Sequence, residues 1–135
     1  MVIPDKQLEV AERMKSLLVV AHGSRRQASN DEVRELVGQL RALDHPYAQI
    51  ESAFLELAEP SIPDGLRKLI EAGSTEVVLL PYFLSAGRHV VTDIPGEIEI
   101  VREEHPAVTI HLAPYLGAAP GVAEMLLSQA GSIPV

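Results

Sequence analysis

Short apolar runs alternate along this chain with longer segments whose apolar residues recur at helical spacing. Residues 17–21 form a continuous apolar run that ends at His22 and Gly23, which is typical of a strand buried on both faces. Three more strands are predicted at residues 48–57, 76–80 and 108–113.

The segments between these strands have the periodicity of helices. It is clearest in residues 29–44, where Ser29 and Glu32 also form a capping-box pattern at the predicted start. A second helix is predicted to begin after Ser61, and a third to begin at Asp93. The remaining helices are predicted at residues 5–15 and 119–130.

Strands that alternate with helices predict βαβ units, and therefore an α/β fold with a four-stranded parallel sheet and helices on both faces. We expect a single domain over residues 17–130. Residues 1–16 are predicted to be an N-terminal helical extension, and residues 131–135 a C-terminal tail.

The composition of the chain excludes several kinds of partner and site. The formal net charge of −8 argues against a nucleic-acid partner, which would need a basic surface. The chain has no cysteine, which excludes disulfides, thiolate metal sites and cysteine nucleophiles. The longest apolar run, residues 77–84, is far shorter than the roughly 20 residues of a membrane span, and the first residues lack the apolar region of a secretory signal. We therefore expect a cytoplasmic protein without a membrane partner.

Candidate chemistry collects where the strands end, because ligands of open α/β sheets bind outside the carboxyl ends of the strands. His22 follows the first strand, Glu56 lies near the end of the second, and His89 follows the third in a glycine-containing loop. Imidazole binds divalent first-row metals and accepts protons near neutral pH. A strand-end histidine bonded only to backbone is the structural alternative for His22.

Basic and polar residues lie beside both histidines. Arg25 and Arg88 supply local positive charge, and Ser24 precedes a predicted helix start that could hold carboxylates or phosphates. Arg26 is interpreted as a solvated loop residue. His111, inside the fourth strand, is interpreted as a packed or hydrogen-bonded sheet histidine.

These residues lie in stretches that resemble the class II tetrapyrrole chelatases, and in particular the short, single-domain sirohydrochlorin cobaltochelatases. The matching stretches are LLVVAHGSR (17–25), AFLELAEPSI (53–62), VVLLPYFLSAGRHVVTDIP (77–95) and APYLG (113–117). The combination of H-G-S-R after the first strand with A-G-x-H-x-x-x-D-I-P after the third is specific. The resemblance does not cover residues 1–15.

The resemblance implies a three-layer chelatase-like fold and ATP-independent insertion of a divalent metal into sirohydrochlorin, in cobalamin- or siroheme-type biosynthesis. Co²⁺ is the first choice of metal, with Fe²⁺ and Ni²⁺ open. It implies that His22 and His89 bind the metal or take pyrrole protons, and that Glu56 is the family carboxylate. The metal is then a substrate, no cofactor is permanently bound, and the protein is a homodimer.

The tetrapyrrole substrate would explain the surroundings of these histidines. Its carboxylates would pair with arginines, which explains local positive charge on a protein of net charge −8, and its flat ring would pack against apolar side chains. The predicted substrate-binding residues are Ser24, Arg25, Arg88, Tyr82, Phe83 and Leu84.

Two other functions are compatible with parts of this pattern. A noncatalytic carrier of metal or tetrapyrrole would share every motif, and only turnover would separate it from an enzyme. A histidine phosphatase also has His-Gly after its first strand, but such enzymes have Arg before that histidine, where this chain has Ala21. That departure argues against a phosphatase.

Overall fold

A computed structural model describes residues 14–134 of the chain. Its strands are β1 (Lys15–Ala21), β2 (Gln49–Phe54), β3 (Glu76–Pro81) and β4 (Thr109–Leu112). Its helices are α1 (Gln27–Ala42), α2 (Ile62–Glu71), α3 (Arg88–Glu104) and α4 (Val122–Gly131), with a short 3-10 helix at Leu116–Ala118. All neighbouring strands pair in parallel in the order β2-β1-β3-β4, which confirms the predicted α/β fold.

Helices α2 and α3 cover one face of the sheet. Leu18 and Val20 of β1 and Leu79 of β3 are fully buried there, beside Leu66 of α2 and Ile98 of α3. Removing each such side chain from water contributes about 2 kcal/mol. This face holds the larger core and fixes the strand ends relative to the start of α3.

Helix α1 covers the opposite face, but only over the half formed by β1 and β2. Val37 of α1 is buried there against a small cluster that includes Leu17 and Val19. Val78 and Leu80 of β3 point to the same side and are only half buried. The two faces of the sheet are therefore unequally covered.

Three of the four helices in the described chain begin at other residues than predicted. The N-cap of α1 is Arg26, whose side chain makes no capping bond, so the predicted capping box at Ser29 and Glu32 is wrong. The predicted cap of α2 is confirmed, since the Ser61 side chain accepts a hydrogen bond of 3.2 Å from the backbone N–H of Asp64.

Helix α3 begins at Arg88 and not at Asp93, because Gly87 serves as its N-cap without a side-chain bond. Pro95 lies inside the helix. A proline there removes one helical hydrogen bond, a cost that the burial of Ile94 and Ile98 offsets. Residue 89 consequently lies in the first turn of a helix and not in a loop.

Other boundaries also shift. Strand β2 ends at Phe54, so Glu56 lies in the following loop, and α4 begins at Val122 rather than at residue 119. Residue 15 belongs to β1, which contradicts the end of the helix predicted at residues 5–15. Residues 1–13 lie outside the described part, and the division into extension, domain and tail stays a prediction. Within residues 14–134, no helix is long and apolar enough to cross a membrane.

Candidate active site

His22 and Glu56 meet at the carboxyl edge of the sheet. The pairing of β1 with β2 continues beyond the strands, because the backbone N–H of Leu55 donates to Ala21 (2.9 Å) and that of Glu56 donates to His22 (3.1 Å). This continuation brings the His22 Nε2 atom to 3.0 Å from the Glu56 Oε1 atom. The two side chains are 52% and 57% exposed. The sequence prediction that these residues share one site is consistent with this geometry.

The direction of the hydrogen bond follows from its chemistry. An ionised carboxylate can only accept, so the Nε2 atom of His22 carries the proton that Glu56 accepts. In the neutral ring the Nδ1 atom then keeps its lone pair. A carboxylate on the other ring nitrogen is the arrangement that orients histidine ligands of metals and increases their basicity.

Gly23 makes the approach of His22 to Glu56 possible. Its φ of +92° lies in the region that side chains rarely adopt, and a Cβ atom there would overlap the carbonyl oxygen of Glu56. The glycine thus lets the end of β1 pass directly against the loop after β2.

The loop after His22 is held by a residue that the sequence analysis did not single out. Asn30 of α1 is buried, accepts a hydrogen bond from the Ser24 N–H (2.9 Å) and donates one to the Ser24 carbonyl (2.8 Å). The Ser24 hydroxyl in turn accepts from the Arg26 N–H (3.0 Å). The sequence did carry a signal for this residue. Asn30 lies three positions before Val33 and seven before Val37, which places a polar side chain on the apolar face of the helix.

The loop after β3 supplies the apolar side of the site. The Phe83 ring meets the His22 ring edge-on, with centroids 6.2 Å apart. Tyr82 is 41% exposed and Leu84 is 74% exposed at the same edge. All three predicted apolar residues therefore lie within or near the edge that carries His22.

His89 is placed by its backbone alone. It lies in the first turn of α3, whose N-terminus starts from the loop after β3. The position of its side chain is outside what the structure describes, so its roles as metal ligand and catalytic residue remain predictions.

A cavity of about 330 Å³ opens between the His22–Glu56 pair and α3. Asp93 and Glu97, one turn apart on α3, face it together with the pair. Asp93, predicted as a helix cap, is thus a cavity residue, because α3 starts one turn earlier than expected. The complete lining consists of His22, Leu55, Glu56, Thr92, Asp93, Gly96, Glu97 and Ile100. Among the described residues, no three His, Asp or Glu side chains converge as a metal site.

The arginines of the described chain fall into two groups. Those away from the site are all bonded to acidic partners, with Arg34 on Asp31, Arg41 on Glu51, Arg67 on Asp64 and Glu104, and Arg102 on Glu99. Those beside the site, Arg25, Arg26 and Arg88, are exposed and make no side-chain hydrogen bond or ion pair within residues 14–134. Arg26 is the N-cap of α1. Its side chain, like those of Arg25 and Arg88, has no polar partner in the described chain.

The other predicted assignments are structural. The His111 Nε2 atom lies 2.8 Å from the Glu76 Oε1 atom, which confirms a hydrogen-bonded sheet histidine. The acidic group with a shifted pKa, Glu104, is also remote from the site. Arg67 donates two hydrogen bonds to Glu104, and they lower the pKa of that carboxyl below its ordinary value.

The sequence model of the CbiX family matches residues 16–132 of this chain. A chloroplastic sirohydrochlorin ferrochelatase from Arabidopsis thaliana is 37% identical over 101 residues, which are 75% of this chain and 44% of the relative. A sirohydrochlorin cobaltochelatase from Methanococcus maripaludis is 38% identical over 82 residues, which are 61% of this chain and 56% of the relative. The chain spans about half the length of these curated relatives.

Solved structures of this family share the fold. A CbiX protein of Marinobacter aquaeolei VT8, named for cobalamin (vitamin B12) biosynthesis, has a TM-score of 0.76 at 28% identity, with 87% of this chain and 95% of that chain covered. SirB from Bacillus subtilis with Fe³⁺ has a TM-score of 0.78 at 30% identity, with 90% and 48% covered. The sirohydrochlorin chelatase SirB from B. subtilis subspecies spizizenii, in complex with cobalt, has a TM-score of 0.76 at 28% identity, with 88% and 50% covered. Family match, fold and site agree, and the chain is a member of the CbiX family.

Proposed function

We propose that this protein inserts a divalent metal into sirohydrochlorin without ATP, as a chelatase in cobalamin- or siroheme-type biosynthesis. The names of its sequence relatives support this activity. The observation that carries it is the hydrogen bond between His22 and Glu56 at an exposed sheet edge. It pairs a metal-binding, proton-accepting ring with a carboxylate where a large ligand has access.

The protons and charges of the reaction balance through these side chains. Sirohydrochlorin must lose two pyrrole N–H protons as the dication enters, and both protons must leave the site. The His22 Nδ1 atom either binds the incoming ion or accepts one proton, but it cannot do both at once. Glu56 lowers the free energy of the dication and can accept the proton of the ring that it contacts. A second group is needed for the other role, and His89 is our candidate. The histidine that acts as proton acceptor takes the two pyrrole protons one after the other, and it passes the first to Glu56 or to water before it takes the second.

The substrate is held by charge at its rim and by apolar contact at its face. Arg25 and Arg88, without acidic partners in the described chain, are the proposed partners of its carboxylates. Tyr82, Phe83 and Leu84 are the proposed apolar contacts, and Ser24 supports the loop that carries Arg25. Correct placement of ring and metal is the main source of rate acceleration that we propose.

The relatives of this chain differ in the metal that their names give. The relatives include both cobaltochelatases and ferrochelatases, and the SirB structures hold cobalt in one case and Fe³⁺ in the other. Sites of histidine and carboxylate bind several first-row metals. We propose Co²⁺ as the first substrate to test, before Fe²⁺ and Ni²⁺, with no permanently bound cofactor.

We further propose a cytoplasmic homodimer in which a second copy completes the cleft. The support is that SirB is about twice as long as the region it shares with this chain. A noncatalytic carrier of metal or tetrapyrrole is the alternative, since it would use the same residues.

An absorbance time course decides between these functions. Purified protein is mixed with metal-free sirohydrochlorin and Co²⁺, with a reaction without protein as control. We expect a spectral change that continues over many turnovers. A change that stops at one equivalent of protein would contradict the enzyme and support the carrier.

A further inference from the structure

Leu57, in the loop after β2, has a backbone conformation that costs stability. Its φ is +63°, in the left-handed region that glycine, asparagine and aspartate tolerate and that leucine rarely adopts. Among residues 14–134 it is the only residue other than glycine with a positive φ. Its side chain is 56% exposed and belongs to neither of the hydrophobic clusters described for the sheet. The stability of the fold therefore does not explain a leucine at this position.

The backbone on both sides holds Leu57 in this conformation. Before it, the N–H of Glu56 donates to the His22 carbonyl (3.1 Å). After it, the base of the loop is closed by the hydrogen bond from the Phe54 N–H to the Pro60 carbonyl (2.9 Å). Strained conformations persist where the surrounding structure enforces them, and they concentrate at sites that bind ligands. The conformation of Leu57 is therefore a reason to look for a ligand contact there.

The strand order places Leu57 and the apolar loop after β3 on opposite sides of His22. Strand β1, which leads to His22, lies between β2 and β3. Leu57 follows β2, whereas the exposed side chains of Tyr82 and Leu84 follow β3. The ends of β2 and β3 are two strand spacings apart, about 10 Å. A flat ligand of this width can contact apolar side chains on both sides while its centre lies over His22.

We infer that Leu57 is a further substrate-binding residue, which packs against the tetrapyrrole and helps to centre it on the His22–Glu56 pair. This inference rests on the proposed function and extends the apolar contact from the β3 side of the site to the β2 side. Binding of the macrocycle removes the leucine side chain from water, and this gain offsets the backbone strain only in the complex. Asparagine or glycine would relieve the strain but would not supply the contact.

Titration of the protein with metal-free sirohydrochlorin, followed by absorbance, tests this contact without turnover. Leu57→Asn removes the apolar side chain and suits the positive φ. We expect its Kd for sirohydrochlorin to be about 10-fold higher than that of the wild type. Its urea midpoint should equal or exceed that of the wild type, because the strain is relieved. Leu57→Met, which keeps an unbranched apolar side chain, should retain most of the affinity.

Leu43→Asn is the matched control. Leu43 is 65% exposed, has an ordinary φ of −81° and lies between α1 and the start of β2. Its replacement removes a similarly exposed leucine without relieving strain, so the Kd should stay unchanged and the urea midpoint should not rise. An unchanged Kd in Leu57→Asn, or an equal rise in both variants, would overturn the contact. A urea midpoint of Leu57→Asn below that of the wild type would also overturn it, since the leucine would then stabilise the loop itself.

This test can fail separately from the proposed function. Turnover with Co²⁺ tests metal insertion, whereas the titration tests binding of the macrocycle and applies equally to a carrier. Turnover by the wild type together with an unchanged Kd in Leu57→Asn would support the chelatase and overturn only the contact. Weaker binding by Leu57→Asn without turnover by the wild type would support the contact and overturn the enzyme. A wild type that does not bind sirohydrochlorin would overturn both.

Discussion

At the scale of single residues, the candidate site depends on one backbone position. Gly23 combines a positive φ with close contact to the carbonyl of Glu56, and this contact keeps His22 within hydrogen-bond distance of the Glu56 carboxylate. A glycine after His22 permits a sharp turn or a close approach, but the sequence alone could not identify Glu56 as the group approached, since that depends on pairing beyond the end of β2.

Replacement of this glycine should damage both stability and function. Gly23→Ala is expected to lower the free energy of unfolding by about 2 kcal/mol or more, because of the unfavourable φ and the overlap with Glu56. Gly38→Ala is the matched control. Gly38 lies in α1 with no atom near its missing Cβ, so alanine there should stabilise by about 0.5–1 kcal/mol. Urea unfolding measures both, and equal effects would refute the role of Gly23.

Loss of either histidine should stop metal insertion in a folded protein. His22→Ala and His89→Ala are each expected to reduce the insertion rate by about 100-fold or more, because each removes a proton acceptor or metal ligand. Circular dichroism checks the fold, and the absorbance assay measures the rate. His111→Ala, which removes a histidine bonded to Glu76 on the sheet, is the control and should insert metal normally. Full activity in both active-site variants would refute the assignment.

At the scale of elements, the sequence predicted the order and type of every strand and α-helix in the described chain, but not the 3-10 helix at Leu116–Ala118 or where several of the α-helices begin. The stripes of α2 and α3 were predicted because burial of their apolar faces is a local pattern. The start of α3 was missed because Gly87 caps it without a side-chain signal, while Asp93 and Pro95 resemble a start. The contacts of Asn30 and the exposure of α4 depend on tertiary packing, which periodicity does not encode.

The ion pair between α2 and α3 should give stability that disappears in acid. Arg67 lowers the pKa of Glu104, so this carboxylate stabilises the fold above its ordinary pKa, and the contribution is lost as pH falls through the lowered value. Glu104→Gln should therefore lower the urea midpoint more at about pH 7 than at about pH 3, where protonation weakens the ion pair. The effect will be small, because both side chains are partly exposed. An equal effect at both pH values would contradict the ion pair.

At the scale of the whole molecule, the contrast between bonded and unbonded arginines predicts where the substrate binds. Arg25→Gln and Arg88→Gln should each raise the KM for sirohydrochlorin several-fold and change kcat less, since each removes a rim contact and no reacting group. Lys68→Gln, which removes an exposed positive charge on α2, serves as control and should leave KM unchanged. A KM that responds equally to all three variants would indicate net charge rather than a binding site.

The exposed arginines also give the protein an uneven distribution of surface charge. A polyanion that diffuses toward a body of net charge −8 is repelled on average, and the exposed side chains of Arg25, Arg26 and Arg88 attract it locally. This attraction favours approach of the anionic ligand in one orientation before contact forms. Ligand molecules that approach in other orientations are repelled and do not bind. Added salt shortens the range of both repulsion and attraction to a few ångströms. At high ionic strength the tetrapyrrole would therefore collide with this protein indiscriminately, and most collisions would be unproductive.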